Sequence, residues 1–325
     1  MAEIARVETY SFTPAALRVG ERRPGISGFV RTRNGADFVA AAIRSHAAHV
    51  DEIVVVYNQC TDGTEAILAA LQDELGPEKL KIVHYLPRVF PPGSDEHIAE
   101  PADSPHSVVN YSNFALACTT RQVAFKIDDD HVAMDGALAR MAADIHRDGL
   151  APGRMACFSG INLARDDQGR VGVFAATPLA GNGDHGFFPV TPDAYFVHDR
   201  RYEDFRKRHF RRTFIGFAYW HLKYLKAGLG FANYEIAGGA NRRFAKKQRD
   251  FHRRREIVTM AELAATMPRL RASLMRLVPF DKWALIGNRA LAMADGAVTE
   301  ADLAEVLARY DLGPLHRSDQ ASATA

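Results

Sequence analysis

Val123 to Val132 reads V-A-F-K-I-D-D-D-H-V: a short apolar run stops abruptly at three carboxylates, Asp128, Asp129 and Asp130, followed by His131. Adjacent carboxylates repel one another, so a strand end that carries three of them calls for a cation. Oxygen ligands at that density suit Mg²⁺ or Mn²⁺, and these ions in turn suit a diphosphate. The competing reading is a solvated acidic turn after a strand. What separates the two is where the stretch stands in the fold.

Upstream, strand and helix alternate. I-S-G-F-V-R-T (Ile26 to Thr32) has the length of a buried strand and is broken by Arg33-Asn34-Gly35. Ala36 to His49 then carries Phe38, Val39, Ala42, Ile43 and Ala47 at helical spacing. D-E-I-V-V-V-Y (Asp51 to Tyr57) is β-branched and apolar on both faces, as strands inside parallel sheets are. The polar turn N-Q-C-T-D-G-T (Asn58 to Thr64) leads into a helix with Ile67, Leu68, Leu71 and Leu75 on one face. Leu80 to Tyr85 predicts a third strand, His106 to Thr119 a helix, and Val123 to Ile127 a fourth strand. Between them, Pro87 to Pro105 reads as a loop of roughly 20 residues, a length that is often functional.

This βαβ spacing predicts an α/β fold: an open, mostly parallel sheet with helices on both faces. Ligands of such sheets bind outside the carboxyl ends of the strands. Arg31-Thr32, Tyr57-Asn58 and Asp128 to Asp130 all fall at such ends, which favours the binding reading of the aspartates over the solvated turn.

The whole chain sets bounds on that reading. Its 325 residues are 47% hydrophobic and 25% charged, ordinary for a globular protein with one or two domains. No apolar run reaches the roughly 18 residues that span a bilayer. The start, M-A-E-I-A-R-V-E-T-Y, lacks the basic opening and apolar core of a signal peptide, so a cytoplasmic location is expected. Cys60, Cys118 and Cys157 are expected to be reduced thiols. The net charge of +2 conceals an asymmetry: Phe205 to Glu256 holds fifteen Lys/Arg against three Asp/Glu, and the rest of the chain has a net charge of −10. Three readings compete for its densest part, Asn241 to Glu256: an anionic membrane surface, an acidic glycan, or a merely solvated helix; an anionic partner is the expectation. No motif for nucleic acid accompanies it, and nucleic acid is not expected.

Beyond Asp135 a helix is predicted to about Arg147, then a strand over Met155 to Leu163 with a hairpin partner within Gln168 to Thr177. G-N-G-D-H-G-F-F-P-V-T-P-D (Gly181 to Asp193) reads as a glycine-rich loop that holds Asp184 and His185. Phe196 to Phe205 ends in Glu203-Asp204 before a basic, helix-like run. Lys223 and Lys226 stand one helical face apart and are placed to meet a diphosphate. Met260 to Met267, Leu270 to Leu277, Lys282 to Ala294 and Glu300 to Tyr310 predict helices, the last with Thr299 as N-cap.

Four stretches in order across residues 26 to 140 resemble glycosyltransferases of the GT-A fold, close to the large family 2 group. They are the strand and turn I-S-G-F-V-R-T-R-N-G, the stretch D-E-I-V-V-V-Y-N-Q-C-T-D-G-T, the helix Y-S-N-F-A-L with Asn113, and an aspartate-any-aspartate motif at Asp128-Asp129-Asp130. The resemblance implies a metal-dependent enzyme that moves a sugar from a nucleotide-sugar donor to an acceptor hydroxyl with Mn²⁺ or Mg²⁺. It implies Arg31, Thr32, Asn34, Tyr57, Asn58, Asp62, Asn113, Asp128 and Lys223 along the nucleotide. Asp130 is implied as the direct metal ligand, with Asp128 acting through water or the ribose and Asp129 pointing to solvent. A histidine from the second half, His221 or His185, would complete the metal set. Tyr57 stands where the family often has an acidic residue against uracil, and an aromatic there would stack on a base instead. Inverting members place a catalytic base at the start of a helix after the metal motif. Glu203-Asp204 matches that text, and Asp184 is the rival.

Four parts follow from this reading: a loosely structured N-terminal arm (1–25) with room for one short strand, a nucleotide-sugar-binding half (26–150), an acceptor-binding half (151–256) and a helical C-terminal region (257–325). The last is expected to pack on the catalytic domain or to form a homodimer. The acceptor is expected to be a glycan or a lipid-linked sugar in surface polysaccharide or glycolipid synthesis, with 205–256 against an anionic membrane. The alternatives are a nucleotidyltransferase, or a non-catalytic glycan- or membrane-binding protein on a transferase scaffold.

Overall fold

The computed structural model describes residues 4–181, 183, 185–199, 203–226, 245–246, 249 and 256–317. Asp184 and most of the basic stretch 241–255 lie outside the described residues.

β1 (Ala5–Val7), β4 (Leu80–Tyr85), β3 (Glu52–Tyr57), β2 (Arg23–Thr32) and β5 (Arg121–Ile127) lie side by side in that order, all parallel. Their side chains alternate between two cores, which is why the strands read as unbroken apolar runs. Ile53 and Val55 of β3 and Val123, Phe125 and Ile127 of β5 pack with α1 (Val39–Ala47), α2 (Thr64–Leu75) and α5 (Asp135–Asp148) on one face. Val54, Val56 and Ala124 face the other core, which is filled by α4 (Val108–Ala117). The long proline-rich loop is not wholly irregular: α3 (Asp95–Ala99) forms inside it, with Ser94 accepting from the His97 amide as its cap.

The sheet changes character beyond β5. β10 (Gly186–Pro189) runs antiparallel between β5 and β7 (Arg154–Arg165), with Phe188 opposite Ala124 and Phe187 opposite Ala156. β13 (Arg211–His221) pairs in parallel with β7, and β6 (His131–Ala133) closes that side antiparallel to β13, with His221 opposite His131. β8 (Val171–Phe174) and β9 (Leu179–Ala180) hang antiparallel on β7, and β14 (Ile257–Val258) pairs with β8. β11 (Phe196–His198) and β12 (Glu203–Phe205) make a separate hairpin. A third core lies between this side of the sheet and the helices α6 (Met260–Thr266), α8 (Asp281–Ala294) and α9 (Glu300–Arg309); α7 (Arg269–Arg276) packs on α8. Thr299 is the N-cap expected, in a capping box with Asp302, and Thr259 forms a second box with Glu262.

Four expectations need correction. The N-terminal arm is not loose: β1 extends the sheet, Leu17 is fully buried, and buried Arg22 donates to the Leu17 carbonyl, Thr119 and the Arg121 carbonyl. The glycine-rich stretch 181–193 is not simply a loop, because Gly186–Pro189 is the strand that joins the two parts of the sheet. Glu203-Asp204 does not begin a helix; it lies in β12, and a single 3₁₀ turn, Lys207–His209, separates it from β13. Phe214 to His221 is strand too, since its aromatic residues fit a pleated, half-buried surface. Lys223 therefore opens a 3₁₀ turn, Lys223–Leu225, with Lys226 just beyond, and the two do not share a long helix.

Candidate active site

β2, β3 and β5 end on the same edge of the sheet, and β13 reaches it through its pairing with β6. A cleft of about 290 Å³ opens there, with the triplet Asp128 to Asp130 along one side and Arg31, Lys126, Lys223 and Lys226 around it. Thr32, Asn34, Asn58, Glu203 and His221 line it too, as do Phe90 and Tyr111.

The three aspartates have different partners. Asp128 Oδ1 lies 2.9 Å from Lys126 Nζ, while its Oδ2 is 3.4 Å from His185 Nε2 and 3.5 Å from His131 Nε2. Asp130 is 3.4 Å from His221 Nε2 and 3.0 Å from Lys226 Nζ. Asp129 does not point to solvent. It is buried, accepts from the Thr32 hydroxyl at 2.6 Å and pairs with Lys226 at 2.6 Å. The sequence reading failed at Asp129 because its cation comes from a residue 97 positions away.

Burial alone would raise all three carboxyls. At Asp128 the Lys126 ammonium, with His131 and His185 beside the carboxyl, outweighs it and holds the carboxyl well below the usual range. At Asp130, Lys226 and His221 do the same. Asp129 goes the other way: burial and the neighbouring Asp130 push it up against the pull of Lys226. Lys226 in turn is held firmly protonated, since Asp130 and Asp129 overcome its own burial.

His131 sits between the two outer aspartates. Its ligand atom lies within 4.8 Å of those of Asp128 and His185 in one cluster, and of Asp130 and His221 in another. Burial pushes its pKa well down, so the ring is neutral and keeps a lone pair. Its buried Nε2 makes no hydrogen bond. A buried imidazole nitrogen without a hydrogen bond, beside two ionised carboxylates, is what a divalent cation would satisfy. The residues therefore fit the group, and the mixture of carboxylate and imidazole suits Mn²⁺ better than Mg²⁺. Lys226 already neutralises Asp129, which leaves Asp128, Asp130 and the three histidines as the donor set. His131 stands in the motif itself, so the sequence did contain the signal. Its role emerges only when β6 places it beside β13.

Tyr219 fixes the His131 ring by stacking on it at 3.8 Å and 19°. The stack exists because residue 160 is glycine: a Cβ there would lie 2.2 Å from the Tyr219 ring. On the far wall, Arg31 forms a close ion pair with Glu203 and donates to Ser112 at 2.6 Å. Glu203 is largely shielded from water, which would raise its carboxyl, but Arg31 and Lys126 hold it below the usual range. A carboxylate so stabilised is a weak base and a good orienter of Arg31.

Several expected residues stand elsewhere. The Tyr57 side chain is buried, stacked on His84 at 4.3 Å and hydrogen-bonded to Glu65, and has no face for a base. Asp62 accepts from Thr64 and the Ala36 amide and shapes the turn. Asn113 is buried and exchanges two hydrogen bonds with the Phe196 backbone, which seats β11 and, through it, Glu203 on β12. Asp204 alternates to the opposite side of β12 from Glu203, pairs with Lys207 at 2.5 Å and does not line the cleft. Asn58 does line it, held by its amide to the Tyr85 and Pro87 carbonyls, as does Asn34, which accepts from the Thr61 amide.

No protein-family model and no curated protein sequence matches this chain. Among solved structures, it is similar to a glucosyl-3-phosphoglycerate synthase from Mycobacterium tuberculosis in complex with Mg²⁺ and uridine diphosphate, at 16% identity and a TM-score of 0.27, over 50% of this chain and 51% of that one. The same enzyme with Mn²⁺, uridine diphosphate and glucosyl-3-phosphoglycerate aligns at 12% and 0.34, over 66% and 79%. A mannosyltransferase from Pyrobaculum calidifontis in complex with GDP-Man and Mn²⁺ aligns at 15% and 0.38, over 92% and 86%. The chain spans about half the length of the first of these structures. Likenesses this remote leave the assignment of function to the geometry of the cleft.

Proposed function

We propose that this protein is a metal-dependent glycosyltransferase of GT-A type, taking a nucleotide-sugar donor. One observation carries the reading. Two carboxylate–imidazole clusters share His131 at the carboxyl ends of parallel strands, facing the cations Arg31, Lys126, Lys223 and Lys226. An acidic, imidazole-bearing site for a divalent ion next to a basic wall is complementary to a metal diphosphate, and less so to a neutral ligand.

Asp128, Asp130, His131, His185 and His221 would hold the ion, and bound there it supplies Lewis-acid compensation for the charge that grows on the departing diphosphate. The chain's own residues do the rest. Arg31, oriented by Glu203 and Ser112, and Lys226, oriented by Asp129, present fixed positive charge to the phosphates. Phe90 and Tyr111 offer the aromatic surface in the cleft that Tyr57 does not. Of the three acids considered for taking the acceptor proton, Glu203 is committed to Arg31 and Asp204 lies outside the cleft, so Asp184 is the candidate that remains. The acceptor is proposed to be a glycan or lipid-linked sugar of surface polysaccharide or glycolipid synthesis.

The test is a thermal-shift series with UDP, GDP and their sugar conjugates, with and without Mn²⁺, on the wild type and on Asp130→Ala. A ligand that binds only the native state raises the melting temperature. Metal-dependent stabilisation by a nucleotide, lost in the variant together with about a hundredfold or more of turnover, is expected. Turnover unchanged in Asp130→Ala would remove the proposal.

A further inference from the structure

α7 and α8 form a helical hairpin whose apolar residues face the wrong way for a core. Leu270, Leu274 and Leu277 follow one another at i, i+4 and i+7, a single stripe along the helix. Leu270 is 78% exposed and Leu277 80%. Phe280 and Trp283 continue the stripe around the turn, at 65% and 40%. The side of α7 that packs inward is carried by Ala272 instead. A Cβ on Gly287 would come 2.5 Å from the Ala272 carbonyl oxygen, so the two helices meet through their smallest residues. The leucines are thus spare to the fold, and five large exposed apolar side chains on one helical hairpin mark an interaction surface.

Charge says what kind of surface it meets. From Arg269 to Phe280 the sequence has no Asp or Glu. Arg271, Arg276 and Lys282 are exposed among the apolar residues. The nearby acids are engaged elsewhere: Asp281 accepts from the Arg212 amide at 2.9 Å, and Asp295 pairs with Arg269 at 2.6 Å. Leucine, phenylalanine and tryptophan flanked by long cationic side chains is the pattern of a helix that lies in a membrane interface. There the apolar residues enter the acyl boundary and Arg and Lys reach back to anionic headgroups. A second copy of the chain meeting this face across a two-fold axis would bring the same cations near their own copies. Among the described residues no helix is long and apolar enough to cross a membrane.

We infer that the α7–α8 hairpin is a peripheral docking surface for an anionic lipid bilayer, with Leu270, Leu274, Leu277, Phe280 and Trp283 as its apolar contacts. This assigns bilayer contact to an element distinct from the basic segment 205–256. It also fixes a geometry. Asp281 meets Arg212 near the start of β13, whereas His221 at the end of β13 lines the cleft. At about 3.3 Å per residue, the strand sets the turn of the hairpin roughly 30 Å from the catalytic edge. The contact holds the protein at the surface; it does not form part of the donor site.

The experiment is co-sedimentation of the full chain with phosphatidylcholine vesicles, with and without phosphatidylglycerol. Binding to the anionic vesicles is expected to exceed binding to the neutral ones and to fall roughly tenfold or more in Leu277→Ser/Phe280→Ser. Arg271→Glu/Arg276→Glu is expected to remove the preference for phosphatidylglycerol. A second readout needs no variant. Trp220 is buried and Trp283 is partly exposed, so a blue shift in tryptophan emission on adding anionic vesicles reports insertion at the hairpin. Absence of vesicle binding by the wild type overturns the inference. So does binding that survives Leu277→Ser/Phe280→Ser without loss, which would assign it to the basic segment. A solution dimer that dissociates in this variant would make the patch a self-contact and overturn it too. None of these outcomes bears on nucleotide or metal binding in the cleft.

Discussion

The cleft is built by two unlike parts of one sheet. On one side, β1 to β5 are parallel, and helices follow β2, β3 and β4. They deliver Arg31, Thr32, Asn58 and the triplet Asp128 to Asp130 to an edge that their common direction defines. On the other side, β6, β7, β10 and β13 mix both directions, and they deliver His131, His185, His221 and Lys226. The first part supplies the carboxylates, with Lys126 and Thr32 beside them, and the second supplies the histidines and Lys226. Neither half has a complete site. The lesson is that a repeated local pattern can place one set of groups at a functional edge, while the groups that set their charge arrive through pairings between distant segments.

Each half can be loosened separately. The largest effect is expected in the mixed half: Gly160→Ala drives a methyl into the Tyr219 ring and should cost about 3 kcal/mol or more by urea denaturation. Because Tyr219 holds His131, Mn²⁺ affinity measured by titration should fall with it. Stability lost with metal affinity intact would show that the clusters do not depend on that stack. Acid should loosen the parallel half. His46, on the buried face of α1 against Phe125, has its pKa pushed down from 6.5 to about 4 by burial, with the Ala42 carbonyl opposing only in part. Between those values the unfolded chain binds the extra proton. The contribution is therefore whole above pH 6.5 and fades towards pH 4, by roughly 3 kcal/mol in all. His46→Gln should flatten that dependence in a pH series of urea midpoints, and an unchanged slope would assign it to other groups.

The join between the halves is Lys226. Lys226→Met should weaken nucleotide diphosphate binding about tenfold, and Lys226→Arg should restore most of it, as read by titration calorimetry. If Lys226→Met tightens the binding of Mn²⁺ alone, the ammonium competes with the ion at Asp130 and the two cations are alternatives. The smallest effect is expected on β12. Asp204→Asn should change turnover within about twofold, since a half-exposed surface pair away from the cleft contributes little. Glu203→Gln, which frees Arg31, should lower turnover clearly more. Equal effects of the two would contradict the placement of Asp204 outside the cleft.

This contrast also explains what was legible in the sequence. The parallel strands, their helices and the aspartates at the end of β5 follow from apolar runs and local periodicity, and all lie where the residues imply. The capped C-terminal helices are legible for the same reason. What escaped depended on separation along the chain. Gly186–Pro189 is too short to show a period and becomes a strand only between β5 and β7. Tyr57 looks available at a strand end until His84 closes over it. Asp129 looks redundant until Lys226 arrives. Glu203 and Asp204 look equivalent in text, yet adjacent positions on a strand face opposite ways.

The position of β10 has a consequence for how the chain is made. During synthesis β1 to β5 can associate once residue 127 has emerged, since all the strands that pair among themselves are then present. That assembly presents the free amides and carbonyls of β5 along one margin, with apolar Val123, Ala124 and Phe125 beside them. Residues 186 to 189 are still untranslated at that moment. For roughly 60 residues of elongation, at about 5 to 20 residues per second, the nascent first half carries an exposed pairing edge for several seconds. It is a window in which a chaperone, or a neighbouring nascent chain, competes with β10 for the same margin.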